Sequence, residues 1–204
     1  MITILDYGLG NVLAFVNVYK RLDIPVNVAK SKNDLLKATK IILPGVGSFD
    51  NAMRQLEQSE MLPSIEKLVL DQGVPFLGIC VGMQMLARSS DEGKLSGLGW
   101  IDADVRKFDK TLMPEGTSLP HMGWNDVEPL SDTILFKGLE HDARFYFLHS
   151  YYLECNEKAN IMAKSDYGGL FSCAVLKDNI YGVQFHPEKS HHYGSQLLKN
   201  FSDI

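Results

Sequence analysis

The sequence predicts an α/β protein with a mostly parallel central sheet, helices on both of its faces, and antiparallel strands appended to it. Three observations lead there. Short segments that are apolar on both faces, 41–43 and 74–79, alternate with helical patterns through the first half. Strands of that kind belong to parallel sheets covered on both sides. From Gly99 onward the alternation gives way to short strands joined by polar turns, the pattern of hairpins. No internal repeat, low-complexity tract or linker breaks the 204 residues, so 1–204 is read as one domain.

Segment 2–5 is the first strand, ending at Asp6 and the glycine-rich turn Gly8-Leu9-Gly10-Asn11. Val12, Phe15, Val16, Tyr19 and Leu22 then recur at steps of three and four, lining one face of a helix that Asn11 is suited to cap. Segments 25–29 and 41–43 are the next strands, the second stopped by Pro44-Gly45-Val46-Gly47. A helix is expected over about 49–70 and a fourth strand over 74–79. Strands at 100–105, 146–149, 161–164, 172–176 and 181–185 follow, and 195–201 closes the chain as a helix.

Composition narrows the function. With 45% hydrophobic and 22% charged residues the chain is ordinary for a globular protein. Twenty Lys and Arg against 25 Asp and Glu leave a net charge of −5 without a basic tract, which argues against nucleic acid as a partner. No run of 18 apolar residues predicts a membrane span. The start, Met1-Ile2-Thr3-Ile4-Leu5-Asp6, lacks the basic region of a signal peptide, so a cytoplasmic location is expected. Three cysteines without a C-x-x-C pair read as free thiols rather than a zinc site. No cofactor and no metal is called for.

One thiol stands apart. Gly78-Ile79-Cys80-Val81-Gly82 follows an apolar strand and precedes a helical segment, 83–87. That is the setting of a nucleophile elbow, where flanking glycines remove side chains from a crowded turn. The helix N-terminus favours a thiolate, and the Val81 N–H faces a developing oxyanion. Alone, the pentapeptide is equally compatible with a buried cysteine at a glycine-bearing strand end. Cys173 reads as core, and Cys155 lies near a turn.

A nucleophilic cysteine needs a base, and the base needs an orienter. Among six histidines, His186 ends a strand and opens His186-Pro187-Glu188. Residues two apart in extended backbone face the same way, so Glu188 can hold one ring nitrogen while the other faces Cys80. A metal set of His186, Glu188, His191 and His192 matches no zinc spacing, and Pro187 disfavours the helix one would need. His191 and His192 are expected exposed near the last helix, and His141 in a solvated loop.

Six motifs then occur in order: Asp6-Tyr7-Gly8-Leu9-Gly10-Asn11, Pro44-Gly45-Val46-Gly47, Gly78-Ile79-Cys80-Val81-Gly82-Met83-Gln84, Pro120-His121-Met122-Gly123-Trp124-Asn125, Tyr146-Phe147-Leu148-His149-Ser150-Tyr151, and Gly182-Val183-Gln184-Phe185-His186-Pro187-Glu188-Lys189-Ser190. Together they resemble the class I, triad glutamine amidotransferases, and among these the glutaminase subunits of imidazole glycerol phosphate synthases, over essentially the whole chain.

The resemblance implies a fold and a set of roles. Cys80 attacks the side-chain amide of L-glutamine, His186 serves as acid and base, and Glu188 orients it, through a γ-glutamyl thioester. Val46, Gly47 and Val81 supply the oxyanion site, with a peptide rearrangement needed in the Val46 strand. Gly47, Gln84, Ser150 and Tyr151 hold glutamine. His121, Met122, Trp124, Asn125, Tyr146 and Lys189 face a (β/α)8 cyclase subunit in a heterodimer. Ammonia passes to that barrel, which converts PRFAR to imidazole glycerol phosphate and AICAR in histidine biosynthesis. A barrel takes ~250 residues, so it must be a separate chain. Relatives that feed ammonia to a sugar nucleotide in surface-polysaccharide assembly share the same glutaminase half.

Two other classes stay in view. A non-catalytic interaction module conflicts with the retained Cys80, His186 and Glu188. A peptidase-like hydrolase with a Cys elbow would work without a partner and ignore glutamine, against the Gln84 and Ser150-Tyr151 matches.

Overall fold

The computed structural model describes residues 1–130 and 132–204. In chain order its first half holds β1 (Ile2–Leu5), α1 (Val12–Arg21), β2 (Val26–Ala29), β3 (Lys40–Gly45), α2 (Phe49–Gln58), α3 (Leu62–Glu66), β4 (Phe76–Cys80) and α4 (Val81–Gln84). There follow β5 (Ser89–Ser90), β6 (Ala103–Lys107), β7 (His121–Asp126), β8 (Glu128–Pro129), β9 (Arg144–His149), β10 (Tyr151–Cys155), β11 (Ile161–Asp166), β12 (Leu170–Lys177), β13 (Ile180–Val183) and α5 (His191–Asp203).

The main sheet runs β2-β1-β3-β4-β13-β12-β10-β6-β5. Its first five strands are parallel, β13 lying beside β4 with Val183 opposite Ile79. At β12 the direction reverses, and β10 and β6 continue antiparallel. β11 and β8 branch from β12, while β7 and β9 form a separate antiparallel ribbon. The parallel half with appended antiparallel strands is the predicted architecture. Its consequence for function is local: the adjacent strands β4 and β13 end at the same edge, so Cys80 and the chain just after Val183 emerge side by side. Clefts at the carboxyl ends of such strands are where α/β sheets bind ligands.

The core follows from the apolar runs. Ile4, Leu5, Ile41, Ile42, Leu43, Phe76 and Leu77 are fully buried between helices on either face. Asn11 Oδ1 accepts from the Ala14 N–H at 3.3 Å, capping α1 as predicted. Phe15, Val16 and Tyr19 face inward, and the Tyr19 hydroxyl donates to the Leu198 carbonyl, docking α1 on α5.

Several boundaries differ from the sequence reading. The helix expected over 49–70 breaks after Gln58: Glu60 takes φ 57°, and α3 restarts with Pro63 in its first turn, the position where a missing N–H costs least. The strand expected over 100–105 starts at Ala103, because Trp100 is a core residue packed edge-on against Phe76 at 5.1 Å. The last helix begins four residues early, at His191. β7 and β10 lie outside the strands the sequence predicts.

Candidate active site

Cys80 sits at φ 57°, ψ −112°, a conformation that costs an L-residue and is held only by its surroundings. The glycines around it explain how. A Cβ on Gly78 would meet the Gly82 carbonyl oxygen at 2.5 Å, and one on Gly82 would meet the Leu43 carbonyl oxygen at 2.1 Å. A Cβ on Gly45, opposite Cys80 in the sheet, would meet the Gly82 nitrogen at 2.3 Å. Strand, turn and helix therefore touch backbone to backbone, as an elbow requires. The helix that follows differs from the expectation: it starts at Val81 and lasts four residues. So short a helix has little macrodipole, and the electrostatic partner of Cys80 has to come from elsewhere.

The sequence-predicted partner is His186. It is 3% exposed and lines the same cavity as Cys80. Its backbone N–H donates to the Tyr146 carbonyl at 2.8 Å, and its Nδ1 lies 2.9 Å from Glu188 Oε1. Burial opposes a protonated His186, but the neighbouring Cys80 and Glu188, with their negative charge, outweigh it and raise its pKa to about 10. The geometry differs from the sequence argument in one respect. His186 is extended, but Pro187–Lys189 turns tightly, so Glu188 reaches the ring from a helical turn rather than along a strand.

These residues border a cavity of about 260 Å³. Val46, Gly47, Cys80, Val81, Gln84, Ser150, Tyr151, His186 and Lys189 from the sequence reading all line it; Glu188 stands behind His186. Gly47 has φ +84° and open space at its Cβ position, and the Tyr7 hydroxyl anchors the preceding Pro44 carbonyl at 2.8 Å.

Sequence reasoning missed five participants. Glu92, Pro120, Leu148 and His149 also line the cavity. Glu92 Oε2 accepts from the Phe49 N–H at 2.8 Å, so its carboxylate is fixed against the start of α2. Gln184, fully buried, points its side-chain amide at the Cys80 sulfur at 3.8 Å. Glu92 lies in a polar segment without periodicity. Gln184 carries no signal of its own in the sequence, since its partners Gln84 and Cys80 lie about a hundred residues away.

The predicted docking residues divide by strand alternation. On β7, Met122 and Trp124 are exposed, at 64% and 39%. His121 is a correction: it is 2% exposed, sandwiched between the Phe147 and Tyr167 rings, and cannot face a partner. Its Nδ1 lies 3.0 Å from His149 Nε2. Asn125 turns inward to the Asp166 carbonyl at 2.7 Å. Trp124 stacks on His191 at 5.2 Å, and Lys189 Nζ stands 5.6 Å above the Tyr146 ring. His191 and His192 are exposed, as is His141.

Comparison with known proteins is consistent with this geometry. The family described as Glutamine amidotransferase class-I matches residues 3–204. The chain belongs to the class-I glutamine amidotransferase family. It is 61% identical to imidazole glycerol phosphate synthase subunit HisH of Bdellovibrio bacteriovorus and 51% identical to the subunit of that name from Leptospira interrogans, covering all of each chain in both cases. Among solved structures it resembles PurLQS from Thermotoga maritima, with TM-score 0.77 and 16% identity, over 99% of this chain and 97% of that one. A structure named only as a glutamine amidotransferase gives TM-score 0.76 at 18% identity, over 99% and 97%. Both bear on the fold alone.

In this amidotransferase the other two thiols are silent. Cys173 is fully buried and its thiol is pushed well up by desolvation, and burial raises Cys155 to about 12. No helix among the described residues is long and apolar enough to cross a membrane.

Proposed function

We propose that this amidotransferase is the glutaminase subunit of an imidazole glycerol phosphate synthase, hydrolysing L-glutamine to glutamate and ammonia through Cys80, His186 and Glu188. One observation carries the reading: Cys80 and His186 line the same small cavity, and His186 is hydrogen-bonded to the buried Glu188. Pockets for larger ligands run to about 300–1,000 Å³, so this one suits an amino acid.

The steps follow from the arrangement. The Cys80 sulfur attacks the glutamine side-chain carbonyl carbon, and negative charge moves to the carbonyl oxygen. The Val81 N–H, with Val46 or Gly47, receives that charge; one such donor is worth ~10²–10³ in rate. The C–N bond then breaks, and ammonia leaves with a proton from His186. Neutral His186 takes a proton from water, which attacks the thioester, and glutamate departs as the Cys80 sulfur is restored. Glu188 keeps the ring oriented and supports the imidazolium throughout. Ser150, Tyr151 and Gln84 contact the amino-acid end of glutamine, and the Glu92 carboxylate suits its ammonium.

Ammonia is passed to a (β/α)8 cyclase subunit docked on the Met122 and Trp124 face, which borders Tyr146 and Lys189. This is supported by the exposed aromatic surface and by the subunit name of the relatives. The test is an electrophilic glutamine analogue, followed by peptide mass spectrometry. Modification confined to Cys80 and blocked by glutamine supports the proposal; modification of Cys155 or Cys173 at an equal rate, without glutamine protection, contradicts it.

A further inference from the structure

Gln184 has no role in the steps above, yet its whole side chain is committed to the site. It is fully buried, and its backbone N–H is fixed to the Cys173 carbonyl at 2.8 Å. Its amide orientation is dictated from outside. The Tyr151 carbonyl can only accept, and Gln84 Nε2 donates to it at 3.1 Å. The same Nε2 carries a second hydrogen, which is directed at Gln184 Oε1 at 3.1 Å. With its oxygen engaged there, Gln184 must present its nitrogen on the other side, where it meets the Cys80 sulfur at 3.8 Å. Three amide and carbonyl groups thus form one polarised row ending on the sulfur.

We propose that Gln184 is a positioning residue for the glutaminase reaction: its side-chain N–H stabilises the Cys80 thiolate, and Gln84 sets the direction in which that N–H points. This deepens the function proposed above and rests on it. The donor serves whenever the sulfur carries negative charge, in the free enzyme and again when the thioester is hydrolysed. The other hydrogen-bond contact of the sulfur, the Leu148 carbonyl at 3.9 Å, is an acceptor and cannot serve a thiolate. Gln84 thereby has a task besides contacting substrate, since its nitrogen is spent within the protein.

The experiment compares Gln184→Met, which keeps the volume and removes the donor, with Gln184→Glu, which puts a carboxylate in its place. The rate of Cys80 alkylation by iodoacetamide is followed against pH, with the peptide identified by mass spectrometry and folding checked by circular dichroism. Loss of a hydrogen bond to a charged group should move the alkylation profile of the Met variant about one pH unit upward, and the Glu variant further. In the complete two-subunit enzyme, glutaminase kcat should fall about tenfold with KM for glutamine within twofold. A profile unmoved in either folded variant overturns the inference, even if turnover falls. Because alkylation is read without glutamine, a shifted profile in a chain that never hydrolyses glutamine would sink the proposed function and leave the role of Gln184 standing.

Discussion

His186 Nδ1 and Glu188 Oε1 lie 2.9 Å apart, with side chains only 4% and 3% exposed. A carboxylate so placed fixes which ring nitrogen carries the proton toward it and leaves the other for Cys80. Replacing Glu188 by Gln should lower glutaminase kcat by about 10² or more, the scale of positioned acid–base catalysis, while KM changes little. Steady-state kinetics on the two-subunit enzyme decides this; an unchanged kcat removes Glu188 from the mechanism.

The same pair predicts a pH dependence of stability. Cys80 and Glu188 raise the His186 pKa from 6.5 to about 10. A folded-state pKa raised in this way contributes stability that is fully present below about 6.5 and is lost as pH rises through about 10. Urea unfolding of the wild type should therefore weaken over that window, and Glu188→Gln should flatten the decline. A slope identical in both proteins contradicts the assignment.

His121 and His149 predict the opposite trend in acid. Burial holds them at about 4 and about 3, below the ordinary 6.5. The unfolded chain then binds more protons, so stability falls as pH drops from about 6.5 toward 3. His121→Gln should be less stable at pH 7 and less acid-sensitive, measured as the urea midpoint at each pH.

Gly82→Ala tests the elbow. Its Cβ would lie 2.1 Å from the Leu43 carbonyl oxygen, a backbone atom that cannot move without displacing β3. A loss of about 3 kcal/mol or more is expected, or no soluble protein. Gly116→Ala, which meets nothing within 4 Å, should cost only the strain of its φ of +88°, about 1–2 kcal/mol. Equal melting temperatures for the two variants would contradict the backbone-contact account.

Trp124→Ala should leave thermal stability nearly unchanged, since the ring is 39% exposed, and weaken partner binding by about 2 kcal/mol, the threshold of an interface hot spot. Calorimetric titration with the proposed cyclase subunit checks it. Undiminished affinity places the interface elsewhere.

The sequence carried much of this, unevenly. Strands buried on both faces and helices with a three-four period announce themselves, so the parallel half was legible. So was the elbow, because two glycines flank Cys80 at the spacing a tight turn demands. What stayed hidden depends on neighbours distant in sequence. Strand β7 mixes Gly123 with alternating large residues and is a strand only because β9 pairs with it. His121 looked like a docking residue until that pairing turned it inward. Gln184 acquires its significance from Gln84, a hundred residues away and met only after folding.

The most direct test is glutamine hydrolysis by the chain assembled with the proposed cyclase subunit, comparing the wild type with Cys80→Ala at matched occupancy of the complex. The account predicts glutamate production by the wild type and none above background in the variant, while externally added ammonia still supports the cyclase reaction in both. Glutamate formation by Cys80→Ala at the wild-type rate would contradict it.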